Sequence, residues 1–254
     1  MTDTNAARDF DPATVAIRPA ATVMLIRDTD EGAAGVEVFM LRRTLAAAFG
    51  SGMYVFPGGR VDKSDGEDVE VAHRLAAIRE CFEEAGVLLA RTSEGEHVPD
   101  GHPALLARHG VHDGTIDLID LCAEHELVPA VDELVWVSHW ITPMGESRRF
   151  DTRFYLAPAP IEQTSVHDDS ETIASLWVHP DEALDRQSKG ELMMMPPTIS
   201  NLKLLAQFSS VDDAMEAAHR MPPPSCVLPK LRRGADGAML GISLPGDDDY
   251  ESLV

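Results

Sequence analysis

Apolar positions along this 254-residue chain recur with two different periods. Valine, leucine, isoleucine, methionine and phenylalanine dominate residues 21–27 and 36–43, the composition of buried strands. An acidic turn containing Asp28, Asp30, Glu31 and Gly32 separates the two runs. Residues 134–142 and 150–157 alternate well enough for a further pair, joined through a turn at 144–149. Residues 87–90 and 175–179 are additional strand candidates. Between them the period changes. Val71, Leu75, Ile78 and Phe82 recur at four-, three- and four-residue steps, which makes the apolar stripe of a helix. Ser64 with Glu67, or Asp68, offers its N-terminal cap, and Gly86 stands where a left-handed C-terminal cap belongs. Short helices are expected near 104–109, 116–127 and 180–186, and longer ones opening at Pro196 and Ser210.

These elements divide the chain into a flexible N-terminal arm (1–17), a main α/β domain (18–190) and a C-terminal helical extension with an acidic tail (191–254). Residues 92–132 interrupt the main domain as a helical insertion. Beyond Pro222 the chain is rich in proline and then acidic at Asp247-Asp248-Asp249, the character of a loosely held tail. No internal repeat is present.

Composition narrows the function. Acidic side chains number 43 against 21 basic ones, a formal net charge of −22. That balance argues against nucleic acid, whose affinity comes mostly from lysine and arginine on phosphates. Three scattered cysteines, Cys81, Cys122 and Cys226, make neither a disulfide framework nor a zinc spacing. The polar N-terminus has no signal-peptide core, no apolar run approaches a membrane span, and Ser252-Leu253-Val254 is not a peroxisomal address. A cytoplasmic protein without a membrane partner is expected.

The chemistry concentrates in one stretch. Glu80, Glu83 and Glu84 stand at i, i+3 and i+4, one turn apart on a single helix face. Three like charges there repel, and a hard divalent cation turns that repulsion into affinity while keeping positions open for phosphate oxygens. A solvated acidic face is the ordinary alternative for a lone glutamate pair. Phe56-Pro57-Gly58-Gly59 supplies a tight turn ahead of the helix. Arg42, Arg43, Arg148, Arg149 and Arg153 are the cations available to an anionic substrate. None of the ten histidines has a metal spacing, and Met193-Met194-Met195 suits either the core or an adaptable apolar pocket.

Arg79-Glu80-Cys81-Phe82-Glu83-Glu84-Ala85-Gly86-Val87 resembles the second half of the Nudix box, Arg-Glu-apolar-any-Glu-Glu-any-Gly-apolar. The first half of that box reads Gly, five residues, Glu, seven residues. Here Arg79 follows Gly59 by twenty residues instead of fourteen, so an insertion of six is expected, within 63–68. Counted back from Arg79, the first glutamate falls on Val71, with Glu70 and Glu67 as neighbouring candidates. Leu41-Arg42-Arg43-Thr44, Gly52 and the glycine loop resemble a worn coenzyme A motif whose further arginine is Ala48 here. Trp140-Ile141-Thr142-Pro143 and residues 148–154 resemble the branch containing the peroxisomal CoA diphosphatases.

The resemblance implies an α/β/α sandwich around a mixed sheet and Mg²⁺-dependent cleavage of a small-molecule diphosphate, with Mn²⁺ as the alternative ion. Coenzyme A or acyl-CoA leads as substrate, ahead of NADH, ADP-ribose or a nucleotide-sugar. A non-catalytic nucleotide-binding sensor is the reading from another class. By the same resemblance Glu80, Glu83 and Glu84 are metal ligands, and Arg79 orients them. Glu83, Glu84 or the loop carboxylate Glu171 is the base, and Arg42, Arg43, Gly58, Gly59 and Arg149 meet the substrate. A homodimer is the expected assembly.

Overall fold

A computed structural model of the protein describes residues 14–29, 34–45, 50–165, 172–235 and 237–253. In chain order the first elements are β1 (Ile17–Asp28), β2 (Val36–Arg43), β3 (Tyr54–Val55), β4 (Gly58–Arg60), α1 (Val69–Ala85), β5 (Ala90–Arg91), α2 (Arg108–His112), α3 (Leu118–Glu124) and β6 (Val128–Pro129). There follow β7 (Val135–Ile141), β8 (Arg149–Pro158), β9 (Thr172–Val178), α4 (Pro180–Ser188), α5 (Pro196–Leu205), α6 (Val211–Arg220), β10 (Cys226–Val227), β11 (Lys230–Arg233) and β12 (Met239–Ser243).

β1 organises the sheet. It runs parallel to β8 along ten residue pairs and antiparallel to both β2 and β4. The strand order is β10-β7-β8-β1-β2-β3, with β4 beside β1 and β9 beside β2, and the β7–β10 pair is again parallel. The sheet is therefore mixed, with helices on both faces. Side chains alternate across a strand, so each buried strand feeds two cores. Val23, Leu25, Phe39 and Leu41 pack with Ile78 and Phe82 of α1 and with the α2–α3 insertion. Met24, Ile26 and Met40 face the other way, onto Leu202 and Leu205 of α5 and Ala214 and Ala218 of α6. Each such fully buried aliphatic side chain contributes roughly 1.5–3 kcal/mol. The 191–254 segment thus supplies a third of the buried residues of the second core.

α1 begins at Asp68, whose carboxylate accepts from the Glu70 and Val71 amides at 3.0 Å, and it ends at Gly86 with φ +72°. Ser64 and Glu67 take no part in that cap. The apolar stripe starts one turn later than the spacing suggests, because Val71 is exposed whereas Leu75, Ile78 and Phe82 are buried. Residues 87–89 are buried without joining the sheet, and only Ala90–Arg91 pairs, with β6.

The C-terminal segment is structured where a loose tail was expected. β10 extends the sheet, and β11 and β12 form a hairpin pinned by Arg232 to Asp249 at 2.6 and 2.8 Å. The hydrogen bond from Arg232, then that from Ser243, depresses the Asp249 carboxyl to about 2. Of the expected N-terminal arm, residues 1–13 lie outside the described residues, and Ile17 already pairs with Arg149. Among the described residues no helix is long and apolar enough to cross a membrane.

Candidate active site

Arg79 is the hub of the acidic face of α1. Its Nη1 donates to Glu80 Oε1 and Glu83 Oε1, both at 3.0 Å. Nε and Nη2 grip the two carboxylate oxygens of Asp65 at 2.9 and 3.1 Å, and Nη2 also donates to the Arg60 carbonyl at 2.8 Å. Arg79, Asp65, Glu83 and Glu84 are all buried. Burial alone would lower the Arg79 pKa, but the Asp65 hydrogen bond and the charges of Glu80, Asp65 and Glu83 hold it well above its ordinary value. The face is a clamped wall, not a solvated surface.

The glycine loop fits against this wall. Gly58 N donates to Glu84 Oε2 at 3.0 Å. β4 pairs Gly59 with Ala21 and Gly58 with Thr22. A Cβ on Gly59 would stand 2.6 Å from Glu80 Oε2 and closer still to Oε1, so only glycine leaves room for that carboxylate. Cys81, between the glutamates in sequence, points into the core, where burial pushes its thiol well above the usual range. It is no nucleophile.

Glu80, Glu83 and Glu84 form one wall of a cavity of about 1380 Å³. Arg43 lines it too, with Nη1 3.9 Å from Glu84 Oε1 and a buried Nε that has no hydrogen-bond partner among the described residues. Arg18, Arg60 and Arg148 also line it and add positive charge. Other walls are apolar: Met53, Trp140, Met194 and Met195, with Leu231 and Ile242 from the C-terminal hairpin. Part of the methionine run therefore faces the cavity. Among the described residues no three carboxylate, histidine or cysteine side chains converge into a closed metal cage. An open row of carboxylates beside a cavity nevertheless suits Mg²⁺, which takes one or two carboxylates and completes its shell with water and phosphate oxygens.

The α2–α3 insertion reaches the same helix. Arg108 Nε donates to the Glu83 carbonyl at 3.0 Å, holding the last turn of α1. His112 lines the cavity with its Nδ1 3.9 Å from Glu83 Oε2. The insertion is thus part of the site's wall as well as of the core.

Sequence expectation and structure differ at several residues. Adjacent residues of a strand point to opposite faces. Arg43 therefore enters the cavity, whereas Arg42 lies over the Tyr54 ring and bonds the Gly52 carbonyl at 3.4 Å. Arg149 is likewise turned away, buried and donating to the Thr142 carbonyl at 3.0 Å, while Arg148 lines the cavity. Arg153 pairs with Glu70 at 2.7 Å over Trp136, away from the clamp. Glu70 is thus engaged by Arg153, and Glu67 is exposed. The carboxylate that grips Arg79 is Asp65. Counting forward from Gly59 over five residues lands on it, a signal that counting back from Arg79 misses. Glu171 lies outside the described residues, as does Ala48.

Residues 67–205 match the family described as the NUDT19 Nudix domain. Among curated proteins the chain is similar to an acyl-coenzyme A diphosphatase NUDT19 of Gallus gallus, 35% identical over 201 residues, or 71% of this chain and 53% of that protein. A putative nudix hydrolase 7 of Caenorhabditis elegans is 30% identical over 236 residues, covering 92% of this chain and 74% of that protein. The chain thus spans about half the length of the first of these relatives. Among solved structures, a Nudix hydrolase from Alicyclobacillus acidocaldarius superposes with a TM-score of 0.72 at 29% identity, over 80% of this chain and 97% of that one.

Proposed function

Because this chain belongs to the Nudix hydrolases, through a domain of the NUDT19 type, we propose that it cleaves the diphosphate linkage of coenzyme A or an acyl-CoA. The observation that carries this reading is the clamped glutamate wall: Arg79 fixes Glu80 and Glu83, and Glu84 sits on the Gly58 amide, all facing one cavity. The named activity of the chicken relative supports the substrate class. So does the cavity, whose lining combines arginines and glutamates with apolar Met53, Met195 and Leu231.

Glu80, Glu83 and Glu84 would hold a divalent cation, Mg²⁺ in this reading. When bound it neutralises diphosphate charge and lowers the pKa of water. The chain's own residues do the positioning. Arg79 keeps the carboxylates in one row, which would otherwise splay under mutual repulsion. Gly58 and Gly59 leave room for the loop to pack against β1 and the Glu80 carboxylate, and the Arg43 guanidinium, which lines the cavity beside Glu84, would meet a phosphate oxygen. Water attacks one phosphorus, the bridging P–O bond breaks, and the released proton leaves to the glutamate wall. The products are phosphopantetheine, or its acyl form, and 3′,5′-ADP.

Mass-spectrometric product analysis tests the reading. The protein is incubated with Mg²⁺ and, separately, CoA, an acyl-CoA, NADH and ADP-ribose, with Glu83→Gln alongside. Phosphopantetheine plus 3′,5′-ADP from the wild type only is the expected result. Products from NADH or ADP-ribose alone would retain a diphosphatase and discard the CoA assignment. No turnover of any substrate, with Mn²⁺ also supplied, would refute the enzymatic reading in favour of a binding module.

A further inference from the structure

Three cavity arginines take no part in the glutamate clamp through their side chains. Arg18 lies on β1, Arg60 ends β4, and Arg148 immediately precedes β8. The sheet register brings them together. Ala20 pairs with Arg60, Ile17 with Arg149 and Arg18 with Phe150. Alternate positions share a face, so Arg18 stands diagonal to Arg60 on the neighbouring strand, and Arg148, in the bend that leads into β8 on the other side of β1, lines the same cavity. All three side chains are exposed to the cavity.

Their partners are few. Arg60 has only Asp62, at 3.8 Å, and Arg18 and Arg148 make no ion pair or hydrogen bond among the described residues. This is unusual in a chain with 43 acidic side chains. Adjacent guanidinium groups repel one another unless an anion sits between them. Their planar donor forks match phosphate oxygens, and a phosphomonoester carries close to two negative charges at neutral pH.

We propose that Arg18, Arg60 and Arg148 form a phosphomonoester subsite, separate from the glutamate wall, for a ribose phosphate carried by the substrate in addition to its scissile diphosphate. The proposal rests on the diphosphatase reading and sharpens it. A substrate that fills the subsite bears a third phosphate, as coenzyme A and NADPH do and as dephospho-CoA, NADH and ADP-ribose do not. The subsite therefore acts in selection of the substrate, through binding, and leaves bond cleavage to the carboxylates.

The test has a kinetic arm and a binding arm. In the first, kcat/KM is measured for the pairs CoA with dephospho-CoA and NADPH with NADH, for the wild type and for the double variant Arg18→Gln, Arg148→Gln. The wild type is expected to favour the phosphorylated member of its preferred pair by about tenfold or more. The variant should lose that preference mainly through KM, while the dephosphorylated member changes by less than about threefold. The two pairs distinguish a 3′- from a 2′-phosphate. In the second arm, calorimetry in EDTA compares adenosine 3′,5′-bisphosphate and adenosine 2′,5′-bisphosphate with AMP. A tighter bisphosphate complex that weakens in the variant supports the subsite even if no substrate turns over. Hydrolysis with no preference for the third phosphate, or an equal loss on both members of each pair, overturns it while leaving the diphosphatase reading in place. A bisphosphate no tighter than AMP overturns it as well.

Discussion

Replacing Asp65 by asparagine removes one negative charge and almost no volume. In the native protein that carboxylate is 3% exposed and accepts two hydrogen bonds from Arg79 and one from the Asp62 amide at 2.7 Å. Loss of one partner from a buried ion pair costs about 3–5 kcal/mol when the other charge is left uncompensated. Arg79 keeps Glu80, Glu83 and the Arg60 carbonyl, and asparagine retains one acceptor, so the cost falls at or just below the bottom of that range, about 2–3 kcal/mol. For a chain of this size that corresponds to a fall in Tm of about 4–12 °C. The catalytic cost should be larger in relative terms. With the guanidinium held from one side only, Glu80 and Glu83 shift, and a misplacement of about 1 Å costs on the order of 100-fold in rate. Thermal melts followed by tryptophan fluorescence and initial rates on the diphosphate substrate read both effects. Glu70→Gln is the control, because Glu70 is exposed and, among the described residues, its carboxylate pairs with Arg74 and Arg153 alone. It should change stability by less than about 0.5 kcal/mol. An Asp65→Asn protein with native Tm and native rate, or a Glu70→Gln protein that loses both, would refute the assignment of Asp65 as the anchor.

Gly59→Ala should fold with a small stability loss yet lose about 100-fold in kcat, because the methyl group displaces the Glu80 carboxylate; unchanged kinetics would show that Glu80 does not need that position. Burial, opposed by the hydrogen bond to the Val69 carbonyl, lowers the pKa of His73 below its ordinary 6.5 in the folded protein. The unfolded chain therefore takes up this proton first, and stability falls as pH drops from about 6.5 through the lower folded value. His73→Gln should flatten that part of the urea-stability curve between pH 7 and 5. Cys226 is exposed while Cys81 and Cys122 are buried, their thiols pushed up by burial, Cys122 to about 11. A thiol reagent at pH 8 should thus label one cysteine in the native state and three in denaturant.

The strands and helices were largely legible because each carries its own period. Residues 36–43 coincide with β2, and α1 closes at Gly86 as its sequence implies. What escaped was whatever depends on pairing across distance. The contribution of Arg18 and Arg60 follows from β1 lying between β4 and β8, and the β1–β8 contact is a parallel pairing of segments more than a hundred residues apart. No local pattern encodes that register. The choice between Arg42 and Arg43, by contrast, was available in principle, since one of two adjacent strand residues must face away. The structured C-terminus eluded composition because its hold is specific: Lys230 Nζ donates to the carbonyls of Tyr250 and Leu253, and Arg232 takes Asp249. Proline and aspartate content says nothing about such pairs.

The tie between Asp65 and Arg79 also separates geometry from chain length. Loop and helix are fastened to each other by side chains, so the covalent stretch between them is free to vary. Gly66 has φ +107° with open space around it, and Glu67 beside it is exposed. Doubling the length of such a connection costs only about 0.6 kcal/mol in closure entropy. This bend is accordingly a splice port, where a grafted peptide epitope or small reporter domain is expected to be tolerated within a few residues of α1. The run from Arg79 to Glu84 has no such latitude, since a residue added within it would rotate the glutamates beyond it by about 100° relative to Arg79.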